Sequence, residues 1–147
     1  MPQQEETNKA VLMRFWDDAW NRGDLDVVDE IFHQDFVDHG LAPGLTLQGP
    51  EGAKEAVTQF RTAFSDLRLE VHALVAEADK VFTYWRAYGT HDGPLKTPAG
   101  DIPPTGSTGI VHGMTINRVV DGRIIEAWDN FDTLGMLQQL GVIPAKV

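Results

Sequence analysis

Apolar residues recur every three or four positions in the first half of the chain and every two positions in the second. Val11, Leu12, Phe15, Trp16, Ala19 and Trp20 fall on one helical face and predict a helix over residues 5–21. The run "NRGD" at 21–24 breaks that pattern, and Asp24 is placed to cap a second, short helix carrying Val28, Ile31 and Phe32. "QDFVDHG" reads as a short extended segment ending at Gly40, and "LAPGLTLQGP" at 41–50 as a loop. Pro50 and Glu51 suit the first turn of a third helix. It runs to about Phe64, with Ala53, Val57, Phe60 and Phe64 on one face.

From Leu67 the period changes. Leu67, Leu69, Val71, Ala73 and Val75 alternate with mostly polar neighbours, which is a strand pattern. "EADK" at 77–80 predicts a turn, and "VFTYWRAYGTH" a strand that pairs back as a hairpin. "DGPLKTPAGDIPPTG" at 92–106 is a Gly/Pro-rich excursion. Its 94–106 part is expected to shape the mouth of a pocket or a contact with another copy of the chain. "STGIVHGMTINRVV" predicts a third long strand, "DG" at 121–122 a two-residue hairpin turn, and "RIIEAWDNF" a fourth long strand. Leu134, Leu137 and Leu140 point to a closing helix. Three helices ahead of a mostly antiparallel sheet make an α+β chain, not an alternating one. A long curved sheet with helices on one face leaves room for a pocket between them.

Composition narrows the function classes. The chain has 147 residues, 42% hydrophobic and 23% charged, which suits one domain over 1–147 with its own core. No apolar run approaches the roughly 20 residues that span a bilayer. The polar start "MPQQEETNKA" lacks a signal core, so no membrane association and a cytoplasmic location are expected. A net charge of −10 without a Lys/Arg cluster argues against nucleic acid. The absence of cysteine excludes disulfides and thiolate chemistry. The five histidines form no HxH or HExxH pattern, so no metal is expected. No phosphate-binding glycine loop and no nucleophile elbow is present.

Candidate chemistry gathers in "EAWDNFD", 126–132. Strand parity puts Ile125, Ala127, Asp129 and Phe131 on one face and Ile124, Glu126, Trp128 and Asn130 on the other. A lone carboxylate among apolar neighbours suggests that Asp129 points inward. On the preceding strand Ile110, His112, Met114 and Ile116 also look like an inward face, which would bring His112 into Asp129's layer. Asp132 reads as the N-cap of the closing helix. Arg86, between Tyr84 and Tyr88, reads as a surface ion pair or a buried carboxylate's partner. His33, His72 and His91 are expected at the surface. Trp16, Trp20, Phe60 and Phe64 serve as core or as a ligand-stacking platform.

"FWDDAWNRGDLDVVDEIFHQDFVDHG", "GPEGAKEAV" and "INRVVDGRIIEAWDNFD" together resemble the SnoaL-like polyketide cyclases of the NTF2-like superfamily. The resemblance implies a cone-shaped barrel, with the sheet wrapped around the three N-terminal helices. It implies an intramolecular aldol closure without metal or organic cofactor. It matches Asp129 to the acid/base on the last long strand, His112 to a nearby histidine, and His39 to a cavity histidine. The ligand expected is a small apolar or aromatic carbonyl compound, touched by Trp16, Phe60, Met114, Trp128, Phe131 and Arg86. The outward face with Trp128 and Tyr84 or Trp85 suggests a homodimer. An isomerase, dehydratase or epoxide hydrolase on the same barrel, or a binding domain without turnover, are the alternatives.

Overall fold

The computed structural model describes residues 2–40, 47–97 and 99–144. Helix α1 (Pro2–Arg14) continues without interruption into a π-helical segment, Phe15–Asn21. The wider i→i+5 turn keeps Trp16 and Trp20, four residues apart, on the inward side. Arg61 Nη1 donates to Trp20 O at 2.7 Å and to Asn21 O at 3.2 Å, satisfying carbonyls at the end of that segment. The Asn21 side chain donates to Leu69 O (2.9 Å) and accepts from Leu69 N (2.7 Å), which ties the segment to the sheet.

Helix α2 (Asp26–Ile31) follows, with Asp24 Oδ1 accepting from Asp26 N. Strand β1 spans Phe32–Asp38 and β2 Leu47–Gln48. The expected loop at 41–50 falls outside the described residues at 41–46, and its end forms β2 and the start of α3. Helix α3 (Gly49–Ala63) has Pro50 in its first turn, where a missing N–H costs nothing. Four long strands then follow the expected order: β3 (Arg68–Glu77), β4 (Lys80–Thr90), β7 (Thr108–Val120) and β8 (Arg123–Phe131). Between β4 and β7 the Gly/Pro-rich excursion holds a small hairpin, β5 (Leu95–Thr97) and β6 (Gly100–Ile102). Helix α4 (Thr133–Gln139) closes the fold, capped by Asp132, whose Oδ1 accepts from Gly135 N at 2.8 Å. The "DG" turn has both residues at positive φ, 51° and 76°, which suits its hairpin geometry.

The six-stranded sheet has the order β2-β1-β8-β7-β4-β3 and is not closed. Its long pairs are antiparallel, and β1 runs parallel to β8. The curved sheet and its N-terminal helices enclose a core that includes Leu12, Trp16, Val28, Phe32, Val57, Val81 and Ile124. Each such large side chain, fully buried, contributes about 1.5–3 kcal/mol. A second cluster joins Ala63, Phe64, Leu95, Met136 and Leu140 at one end, so the excursion packs there through Leu95. No helix among the described residues is long and apolar enough to cross a membrane.

Candidate active site

A cavity of about 120 Å³, partly open to the surface, lies between the sheet and the helices. Trp16, Trp20, Phe60, Phe64, Trp85 and Phe131 supply most of its wall, and Met136 and Leu140 come from the end of the chain. Asp38, Tyr88, Thr115 and Asp129 are the polar side chains of that lining that carry oxygen. A cavity near 150 Å³ holds benzene, so this one has room for about one ring.

Asp129 and Asp38 come from neighbouring parallel strands. His39 N donates to Ala127 O at 2.8 Å, and Asp38 pairs in register with Ala127. Gly40 then rests against the backbone of Asp129: a Cβ at position 40 would lie 2.0 Å from Asp129 N. That approach sets the two carboxyls within hydrogen-bonding reach of each other. Asp38 is buried, and its Oδ1 accepts from Gly40 N at 2.9 Å. Asp129 also accepts from Thr115 Oγ1 at 2.7 Å, and Thr115 Oγ1 accepts from Trp85 Nε1 at 3.0 Å. The indole thus fixes the hydroxyl's direction, and the hydroxyl fixes the carboxyl.

Burial and the neighbouring Asp38 charge push the Asp129 carboxyl up, from an ordinary 3.8 to about 8, while the Thr115 bond opposes that rise. Asp129 retains partial exposure because its carboxyl faces the cavity, but most of its surroundings are protein. Two carboxyls this close cannot both ionise cheaply. Asp129 therefore holds its proton through the neutral range.

Three expected ligand contacts, Trp16, Phe60 and Phe131, line this cavity together with Asp129. Other expectations are corrected. His112 and Met114 lie on the opposite face of the sheet, both exposed. The inward face of β7 is Gly113, Thr115, Asn117 and Val119. The Trp85 indole occupies the space over Gly113, where a Cβ would come within 2.3 Å of the ring, so a residue with no side chain sits inside. His112 instead bonds through Nδ1 to the Tyr84 hydroxyl at 3.1 Å. A register shift between Arg118 and Val119 also replaces Ile125 with Ile124 on the inward face of β8.

His39 is held outside by Glu126, with Nε2 to Oε2 at 2.9 Å, and its ring stacks on Trp128 at 5.2 Å. Trp128 is thereby an outer-face residue, as its parity indicated, and not a cavity contact. Glu126 also accepts from Arg118 Nε at 2.6 Å, and the hydrogen bonds with Arg118 and His39 hold its pKa below the ordinary value. Arg86 pairs in register with Glu70 and His112 on the same outer face. The Tyr84 and Tyr88 hydroxyls beside it hold its pKa up, and no ion pair to it occurs among the described residues. His91, expected at the surface, is fully buried against Phe64 and anchors Thr105, whose N donates to His91 Nδ1.

Asp38 was missed. In "FVDHG" the resemblance points to its neighbour His39 as the cavity residue and not to Asp38. The signal available was parity: Phe36 and Asp38 share the inward face of β1.

A sheet curved around N-terminal helices, with a cavity between them, defines an NTF2-like fold. The model for SnoaL-like polyketide cyclases matches residues 10–140, and the chain belongs to that family. It is 34% identical over 135 residues to the aklanonic acid methyl ester cyclase DnrD of Streptomyces peucetius, covering 88% of each chain. It is 32% identical over 124 residues to the nogalonic acid methyl ester cyclase of Streptomyces nogalater, covering 84% of this chain and 90% of the other. Among solved structures, TsrD from Streptomyces laurentii superposes with a TM-score of 0.82 at 28% identity, covering 94% of this chain and 97% of that one.

Proposed function

We propose that the chain is a cyclase that closes a ring of a polyketide-like carbonyl compound by intramolecular aldol reaction, with Asp129 and Asp38 as its acid–base pair. The observation that carries this reading is the pair of neighbouring carboxyls, Asp38 and Asp129, at the wall of an aromatic cavity. The ionised member takes a proton from a carbon between two carbonyls. The resulting enolate attacks a third carbonyl in the same molecule, and the protonated member gives its proton to the alkoxide that forms. Both steps are proton transfers, and they ask for no metal or organic cofactor. A proton donor whose pKa lies near neutrality, as Asp129's does, suits the second. The apolar wall excludes water and strengthens the interaction of the pair with developing charge. One ring of the ligand fills the cavity, and the remainder extends through its mouth.

The names of the curated relatives support an ester-bearing aromatic polyketide as the substrate class. We also infer that the outer face of the sheet, where Phe82, Met114 and Trp128 are exposed, packs against a second copy of the chain.

The test is proton–deuterium exchange at C2 of 1-phenylbutane-1,3-dione. The native protein is expected to accelerate exchange, and Asp129→Asn and Asp38→Asn to lose at least tenfold of that rate while remaining folded. Background exchange by the native protein would overturn the acid–base reading.

A further inference from the structure

The floor of the cavity runs away from the carboxyl pair in rows. Thr115 holds Asp129 at one end. Beyond it the inward positions of β4 and β7 pair in register: Trp85 with Gly113, Ala87 with Val111, and Gly89 with Gly109. Successive rows stand about 6.6 Å apart, two residues of strand. In the first row the Trp85 indole covers Gly113. In the second, Ala87 and Val111 make a low floor that lines the cavity. The third is bare backbone, because both of its residues are glycine.

Bare backbone would lengthen the cavity by a row if nothing lay on it, but Phe64 does. A Cβ at position 89 would come within 2.9 Å of Phe64 Cβ and 3.2 Å of its Cγ. Phe64 stands at the end of α3, where its N–H donates to Phe60 O at 2.9 Å and its carbonyl accepts from Leu67 N at 3.0 Å. Its side chain is buried, with the His91 ring behind it at 5.4 Å and Leu95 and Met136 in the same cluster. The ring is thus fixed from behind, laid over a glycine, and part of the cavity wall. The room for about one ring follows from that placement.

We propose that Phe64 sets the length of ring system that the cavity accepts, limiting it to one aromatic ring between the carboxyl pair and Gly89. This rests on the reading of the cavity as an acid–base site, which fixes the carbonyl end of the ligand at Asp38 and Asp129. With that end fixed, a second fused ring meets Phe64. A packed interior yields poorly to added volume, so the longer ligand is rejected on shape. Shortening Phe64 adds the space of its lost atoms to the cavity, and Gly89 has no side chain to take it back.

The experiment compares 1-phenylbutane-1,3-dione with 1-(naphthalen-2-yl)butane-1,3-dione, which is longer by one fused ring. Calorimetry measures binding of each, and the deuterium assay measures exchange at C2. The proteins are native, Phe64→Leu, Phe64→Ala and the double variant Phe64→Ala with Gly89→Val. Gly89 lies in a strand without positive φ, and its Cβ would point at the place Phe64 leaves, so valine refills that place from the sheet. The naphthyl-to-phenyl affinity ratio is expected to rise about tenfold or more in Phe64→Ala and about threefold in Phe64→Leu, the scale on which apolar pockets sort ligands by size. Gly89→Val is expected to bring it back toward the native value. Phe64→Leu carries the test if Phe64→Ala does not fold. A native ratio in folded Phe64→Leu and Phe64→Ala overturns the proposal. A rise that Gly89→Val fails to reverse also overturns it, since general loosening would give that result. Unchanged ratios with C2 exchange intact leave the acid–base pair standing. Shifted ratios with native exchange at background overturn the acid–base reading and keep Phe64 as the size limit of a binding cavity. A native protein that binds neither dione overturns both.

Discussion

Thr115 and Asp129 face each other across β7 and β8, and the hydroxyl donates to the carboxyl at 2.7 Å. This bond opposes the rise that burial and Asp38 impose on Asp129. Thr115→Val keeps the shape of the side chain and removes the bond. The Asp129 pKa is then expected to move further up, since only the lowering influence is lost. In a pH–rate profile of proton exchange, the limb that reports ionisation of Asp129 should shift to higher pH. The Trp85 N–H also loses its acceptor, at a stability cost of about 1–3 kcal/mol. An unchanged profile would remove Thr115 from the tuning of the pair.

Stability should depend on pH through the same carboxyl. The folded-state pKa of Asp129 lies above its unfolded value, so its favourable contribution is complete below about pH 4, where both states hold the proton. As pH rises toward about 8, the unfolded chain releases its proton first, and that contribution is lost. Asp129→Asn removes this dependence. Urea unfolding at pH 4, 6 and 8 should show the variant gaining on the native protein as pH rises, by on the order of 2–4 kcal/mol over the range. A difference that is constant with pH would show that the carboxyl is ionised in the fold throughout.

Gly40 makes the pair possible by occupying almost no space. A methyl group there would collide with the Asp129 backbone, and that backbone is part of a paired strand which cannot move aside cheaply. Gly40→Ala should cost about 1–3 kcal/mol, typical of overpacking. It should also reduce proton exchange more than Thr115→Val does, because it separates Asp38 from Asp129. Thermal unfolding together with the exchange assay checks both halves. Normal stability with normal exchange would mean that β1 relaxes without disturbing the site.

The elements were legible in the sequence because their signals are local. The change of period near Leu67, the Pro50 helix start, the Asp132 cap and the "DG" turn each depend on neighbours within a few positions. Asp129's inward placement was legible for the same reason. What failed depended on partners far along the chain. Ile110, His112 and Met114 alternate as a buried face would, yet Gly113 and Thr115 are the ones inside, because Trp85 on β4 covers Gly113 and bonds Thr115. Nothing in β7 itself states that an indole from another strand fills the place of its missing side chain. Asp38 escaped in the same way: its meaning comes from the parallel pairing of β1 with β8, which brings it beside Asp129.

His112 and Asp38 separate the two views of the site most cleanly. Parity on β7 alone would make His112 the partner of Asp129. The structure sets His112 on the outer face, bonded to Tyr84, and gives Asp129 a carboxyl neighbour instead. His112→Ala should therefore leave proton exchange within about twofold of native, since surface changes away from a site usually alter energies by less than about 0.5 kcal/mol. His39→Ala should behave likewise, apart from freeing one oxygen of Glu126 on the outside. Asp38→Asn should lose at least tenfold. Asparagine cannot take the ionised role, and without the Asp38 charge the Asp129 pKa falls toward its ordinary range. The exchange assay on all three variants decides the matter, with circular dichroism to confirm folding. A large loss in His112→Ala with Asp38→Asn unaffected would return the histidine to the mechanism and make Asp38 a structural group that only crowds Asp129.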